Sequence, residues 1–194
     1  MNISWWGKTF FLVSVQKNRS PNIELAIEPF STPELKIRAD IVVERKGADS
    51  TIKGKRFTIS GPGEYEVEGI FVQNIDDSFY LIEAEGIILC HLGSYAQKEI
   101  SADYLEIMNQ ADILIIPIEE SKGLDSKTAA HLVLEIEPKI VLPVNSQKGK
   151  ENGVANFLKE MGIKDQATIP KLNIKEKELS AKQGIEVIVL DVKS

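Results

Sequence analysis

The hydrophobic period changes near the middle of the chain, and this limits what it can fold into. Up to about residue 92, short β-rich runs alternate with turns. Ile3–Trp6 and Thr9–Val15 flank Gly7-Lys8, a hairpin signal. Ile23–Ile27 is a third run, and Pro29 and Pro33 mark the loop after it. Asp40–Val43 and Phe57–Ser60 follow, then Gly61-Pro62-Gly63, a strand from Tyr65 to about Val72, and a pair, Phe79–Glu83 and Ile87–His91, around Glu85-Gly86. Beyond residue 100 the pattern becomes helical and strand-like in turn. Ser101–Gln110 predicts a helix with Ser101 as N-cap. Asp125–Glu137 and Gly153–Met161 predict two more, alternating with the apolar strands Asp112–Ile118 and Lys139–Val144, and Ile185–Leu190 predicts a last strand. Strands first, then β-α-β-α-β, is an α/β or α+β pattern. No linker-like segment divides residues 1–194, so one domain is expected.

Charge and cysteine count narrow the function classes. The chain carries 23 Lys and Arg against 29 Asp and Glu, a formal net charge of −6. Nonspecific attraction to nucleic-acid phosphates is therefore not expected. No apolar run reaches the ~20 residues that span a bilayer, and Met1–Trp6 lacks a basic, cleavable leader pattern. Cys90 is the single cysteine, so no intramolecular disulfide can form. A cytoplasmic location is the expectation.

Three segments in order resemble the small lactonase-like branch of the metallo-β-lactamase superfamily. Ile3-Ser4-Trp5-Trp6-Gly7 with Phe10–Val13 is similar to its opening hairpin. Gly61-Pro62-Gly63-Glu64-Tyr65-Glu66-Val67-Glu68-Gly69 is very similar to its mid-chain turn and strand. Ile88-Leu89-Cys90-His91-Leu92-Gly93 resembles the strand before its aspartate motif, and Asp112–Pro117 and Glu137–Pro143 fit two late strands. The resemblance implies an αβ/βα sandwich of four layers, with metals held at one edge by loops from both halves. Working members carry H-x-H-x-D-H after an early strand, a further His, a bridging Asp and a last His.

Those chemical residues are replaced in this chain. After Ala39–Val43 stand Glu44-Arg45-Lys46-Gly47-Ala48-Asp49-Ser50-Thr51, and no histidine precedes His91. The bridging Asp aligns with Ser94, the last His with Asn145, and a His of the first hairpin turn with Lys8. The vestigial cleft expected from this alignment comprises Lys8, Lys46, Asp49, Ser94 and Asn145. An inward Lys46 would replace metal charge and satisfy a carboxylate such as Asp49. Neutral Ser and Asn are weak ligands and a protonated Lys repels a cation, so no metal, cofactor or catalytic residue is expected.

Other groups read as structural. His91 and His131 are the only histidines. His91 is expected within the sheet, and His131 on a helix beside Ala129, Ala130 and Leu132. Cys90 reads as a small buried hydrophobe, since neighbours on a strand face opposite ways and His91 cannot activate it. Ser60-Gly61-Pro62-Gly63 is neither a nucleophile elbow nor a phosphate loop. Asp76-Asp77 and Glu119-Glu120 read as solvated pairs, and Glu44 and Asp49 are the best residual oxygen ligands. The expected function is a non-catalytic or diverged family member that binds a small molecule, itself or another protein. The alternative is a Zn- or Mg-dependent hydrolase with an oxygen-rich site.

Overall fold

The structure is a computed structural model, described for residues 1–17, 21–30, 37–48, 52–93, 100–119, 124–145, 152–164 and 166–193. Two large mixed sheets face each other. The first contains β1 (Asn2–Trp5), β2 (Phe11–Val15), β3 (Ile23–Ile27), β4 (Ile41–Glu44) and β5 (Phe57–Ser60). The second contains β6 (Gly63–Val67), β7 (Ile70–Ile75), β8 (Phe79–Ala84), β9 (Ile87–His91), β10 (Ile113–Pro117) and β11 (Ile140–Val144). Three helices alternate with the later strands: α1 (Ala102–Met108), α2 (Ser126–Ile136) and α3 (Asn152–Glu160). The chain then runs through β12 (Thr168–Ile169), β13 (Leu172–Asn173), α4 (Glu176–Ser180), β14 (Glu186–Val187) and β15 (Val189–Leu190).

The strand order is β13-β1-β2-β3-β4-β5 in one sheet and β14-β11-β10-β9-β8-β7-β6 in the other. Pairing in the first sheet is antiparallel up to β3 and parallel from β3 to β5. The second is antiparallel from β6 to β9 and parallel from β9 through β11 to β14. Parallel strands are covered on both faces. Every residue of β10 and β11 is accordingly buried, as their unbroken apolar runs require.

The main core lies between the sheets, where Ile3, Phe11, Leu25, Val43 and Ile59 meet Val72, Tyr80, Ile82, Leu89 and Ile115. A second core fills the space between the other face of the second sheet and its helices. There Cys90, Leu114, Ile116 and Val141 pack on Met108, Ala129, Val133 and Phe157. The outer face of the first sheet carries a smaller cluster, Phe10, Ala26, Ile37, Ala39 and Val42, with Trp6 and Phe30 against it. Among the described residues no helix is long and apolar enough to cross a membrane.

Local chemistry accounts for most element ends. Ser101 caps α1 by accepting from the Tyr104 amide, and Asp125 caps α2 through the Thr128 amide. Two expectations need correction. The strand from Tyr65 to Val72 is a hairpin, because Glu68 and Gly69 both take positive φ, +57° and +79°, and reverse the chain. The run Ile185–Leu190 divides between two sheets, β14 pairing with β11 and β15 with β12.

Candidate functional site

Loops from both sheets converge at one edge of the sandwich, and their contacts start at the end of β3. Glu28 follows that strand in the left-handed region, at φ +45°, with its amide donating to the Val43 carbonyl at 2.8 Å. A non-glycine residue held there stores strain that its surroundings must support. The support comes from β4 and β8. Arg45, just beyond β4, donates from Nε to Glu28 Oε1 at 2.9 Å. The Tyr80 hydroxyl donates more weakly to the same oxygen at 3.4 Å. The Glu28 side chain is only 8% exposed, whereas that of Arg45 is 39% exposed.

The electrostatics follow from these contacts. Burial opposes the charge on Arg45, but the Glu28 carboxylate and its hydrogen bond outweigh it and hold the guanidinium pKa above its ordinary value. Burial, reinforced by the Glu28 charge, pushes the Tyr80 phenol far up, so it remains a neutral donor.

The second sheet reaches the same edge through β9. His91 is fully buried, with Nε2 2.8 Å from the Thr9 carbonyl and Nδ1 accepting from the Gly93 amide at 3.0 Å. An accepting Nδ1 places the ring proton on Nε2, which donates to Thr9. Burial lowers the His91 pKa, favouring this neutral form. The ring meets Phe11 edge-on at 5.6 Å. His91 thus ties the turn between β1 and β2 to the second sheet.

Gly93 completes the junction. A Cβ at this position, where φ is +56°, would lie 2.7 Å from Glu28 Oε1 and 3.2 Å from Arg45 Nη2. Glycine leaves the room that the Arg45–Glu28 pair occupies. The ion pair joins the segments after β3 and β4, and Gly93 after β9 packs against it.

The expected cleft residues differ in their surroundings. Lys8, at φ +49° in the first hairpin turn, is exposed, with Nζ 5.1 Å from the centre of the Phe30 ring. Lys46 is exposed, and the cation held against a buried carboxylate is its neighbour Arg45. Lys46 stands in the turn that follows β4. Asn145 is half-buried directly after β11 and has a polar partner. Asp49 and Ser94 lie outside the described residues, and with them the expected Ser94–Asn145 proximity. Glu44 is buried, and among the described residues its Oε2 has no hydrogen-bond partner. Strand alternation turns Glu44 to the same side as Val42, toward the outer cluster and away from Glu28.

Sequence reading passed over Glu28, Tyr80 and Gly93. The signal available for Glu28 was an acidic residue followed by Pro29 at the end of an apolar run. Nothing local marks Tyr80, whose hydroxyl matters only once β8 lies beneath β3.

The family named by the resemblance holds transition metals, and the described residues do not fit them. Both ring nitrogens of His91 are occupied, and His131 is a surface residue of α2, 3.5 Å from Glu135. Cys90 is buried in the helix-side core, with its thiol pKa pushed far up by burial. Glu28 faces a guanidinium, which repels a cation. Among the described residues no three His, Cys, Asp or Glu side chains are grouped to hold a metal ion.

Residues 2–145 match the model of a family described as the β-lactamase superfamily domain. No curated protein matches the chain. A candidate Zn-dependent hydrolase of the metallo-β-lactamase superfamily from Thermotoga maritima superposes with a TM-score of 0.80 at 24% identity, covering 98% of each chain. Igni18, a metallo hydrolase from Ignicoccus hospitalis, gives 0.61 at 15% identity over 90% of this chain and 99% of its own. CmlA, a diiron β-hydroxylase from Streptomyces venezuelae, gives 0.55 at 10% identity over 90% of this chain and 54% of its own. At these identities the likeness is one of fold, and this fold carries more than one chemistry. The chain belongs to the β-lactamase superfamily domain family and is built on the metallo-β-lactamase fold.

Proposed function

We propose that this protein is a non-catalytic or diverged member of its family, acting in the cytoplasm by binding a small molecule or a protein partner. The observation that carries the reading is the Arg45–Glu28 ion pair at the junction of the loops after β3, β4 and β9. A metal centre needs anionic and imidazole ligands to offset cation repulsion and to lower the pKa of bound water to ~7. Here a fixed side-chain cation takes up the buried carboxylate, and both nitrogens of the nearby imidazole are bonded elsewhere.

A second reading, a Zn- or Mg-dependent hydrolase with an oxygen-rich site, draws on the partnerless buried oxygen of Glu44. That oxygen lies on the far side of β4 from Glu28, so the two carboxylates do not make one site. The test is a panel of ester, lactone and phosphodiester substrates, assayed before and after chelation. The proposal expects no turnover above the rate of an inactivated control. Turnover that EDTA abolishes and Zn²⁺, Mn²⁺ or Mg²⁺ restores would establish the second reading instead.

A further inference from the structure

We infer that the outer edge of β6 is a docking strand for an extended basic segment of a partner protein, added to the second sheet as a further antiparallel strand. Among the described residues β6 is the outermost strand of that sheet. Glu68 and Gly69, both at positive φ, form the two-residue turn into β7, so the flanking Val67 and Ile70 are the first hydrogen-bonded pair of the hairpin. Bonded and non-bonded pairs alternate along an antiparallel ladder. Val67, Tyr65 and Gly63 therefore bond to β7, while Glu64 and Glu66 turn their N–H and C=O groups outward. Both residues are exposed. Open edge groups of this kind are a template for one more strand.

The side chains along this edge select the occupant. Glu66, Phe71 and Glu83 stand directly opposite one another on β6, β7 and β8. Their neighbours Val72 and Ile82 point into the core between the sheets, so these three lie on the other face. There a cavity of about 380 Å³ is lined by Glu66, Gly69, Phe71, Glu83, Glu85 and Gly86. Glu85 accepts from the Gln16 amide and Glu68 from Lys17, but among the described residues Glu66 and Glu83 have no ion-pair partner. A Lys or Arg placed opposite Glu66 can lay its stem along Phe71 and set its charge between two carboxylates. A second copy of this chain does not fit, because antiparallel β6 strands would set Glu64 and Glu66 against the same two residues of the other copy. The acidic edge thus guards against self-pairing and stays open to a strand of opposite charge. Glu83 and Tyr80 point to opposite faces of β8, so this surface is separate from the Arg45–Glu28 junction and its role does not depend on whether the chain turns over a substrate.

The experiment titrates the 194-residue chain with a short capped peptide in which Lys and Thr alternate, followed by fluorescence anisotropy and amide hydrogen exchange. Saturable binding is expected, with exchange at the Glu64 and Glu66 amides slowed about ten-fold or more at saturation and no comparable change at Val67, which already bonds to β7. Glu64→Gln/Glu66→Gln should weaken binding about five-fold or more. Glu135→Gln/Glu160→Gln removes the same charge from exposed helix positions and should stay within about two-fold. A peptide methylated at its lysine backbone nitrogens keeps its charge but loses the donors that face β6, and should bind at least about ten-fold more weakly. No saturable binding, equal binding of the methylated peptide, or slowed exchange confined to other strands overturns the inference. Self-association that slows the Glu64 and Glu66 amides without peptide also overturns it, since a second copy would then be the occupant. The exchange and methylation measurements use the unaltered chain and decide the matter even if a variant fails to fold.

Discussion

Because Glu28 is nearly buried and Arg45 is not, the two halves of their ion pair should differ in what they cost to remove. Arg45→Gln leaves a carboxylate that is 8% exposed with only the 3.4 Å Tyr80 hydroxyl as a charged-state partner. Breaking a fully buried pair this way costs about 3–5 kcal/mol, and an exposed pair contributes about 0–1 kcal/mol. Arg45 at 39% exposure places its loss between these limits, at about 2–3 kcal/mol. Glu28→Gln leaves a guanidinium that can turn to water, and its amide can still receive the Tyr80 hydroxyl, so about 1 kcal/mol is expected. The assay is urea unfolding at pH 7.5 followed by circular dichroism, with the double variant completing a mutant cycle. In 0.5 M NaCl the Arg45–Glu28 coupling should persist more fully than that of Arg56–Asp40, whose arginine side chain is 67% exposed. Equal losses, or a greater loss from Glu28→Gln, would refute the argument from asymmetric burial.

Three further outcomes follow from the same geometry. His91 has a folded-state pKa below its unfolded value of ~6.5, so its stability contribution is whole above that pH and is lost as pH falls toward the folded pKa, with a limiting slope of about 1.4 kcal/mol per pH unit; His91→Gln should flatten the stability difference between pH 7.5 and 5.5 measured by urea unfolding. Gly93→Ala meets both a positive φ and the buried carboxylate at 2.7 Å, and should cost about 2 kcal/mol or more in thermal unfolding, whereas Gly61→Ala, with open space around its Cβ, should cost about 1 kcal/mol. Glu44→Gln replaces a buried side chain whose Oε2 has no partner among the described residues, and chemical denaturation should find it neutral or up to about 1 kcal/mol more stable.

Much of the fold was legible because burial imposes simple periods on sequence. The apolar runs at Asp112–Ile118 and Lys139–Val144 became strands buried on both faces. Ser101, expected as an N-cap, does start α1, and the helical run from Asp125 became α2. Expectation failed where a turn or a partner decides. Glu68-Gly69 reads as part of a strand until its positive φ values reverse the chain. The strands β12 and β13 span two residues each and leave no period to detect. At the site, sequence drew attention to the segment after β4, but the inward cation is Arg45 and the neighbouring Lys46 is exposed. Glu28 and Tyr80 are 52 residues apart, and their contact exists only after the two sheets pack face to face.

Arg45 fixes a positive charge against the buried Glu28 carboxylate at the sandwich edge, a setting that opposes a bound cation. The most direct measurement is the metal content of tag-free protein by elemental analysis, after expression in medium supplemented with Zn, Fe and Mn and again after incubation with excess Zn²⁺ and desalting. Well below one equivalent of any transition metal per chain is expected in both preparations, and the same value for Arg45→Gln. One or more equivalents retained by the unaltered chain through desalting would contradict it.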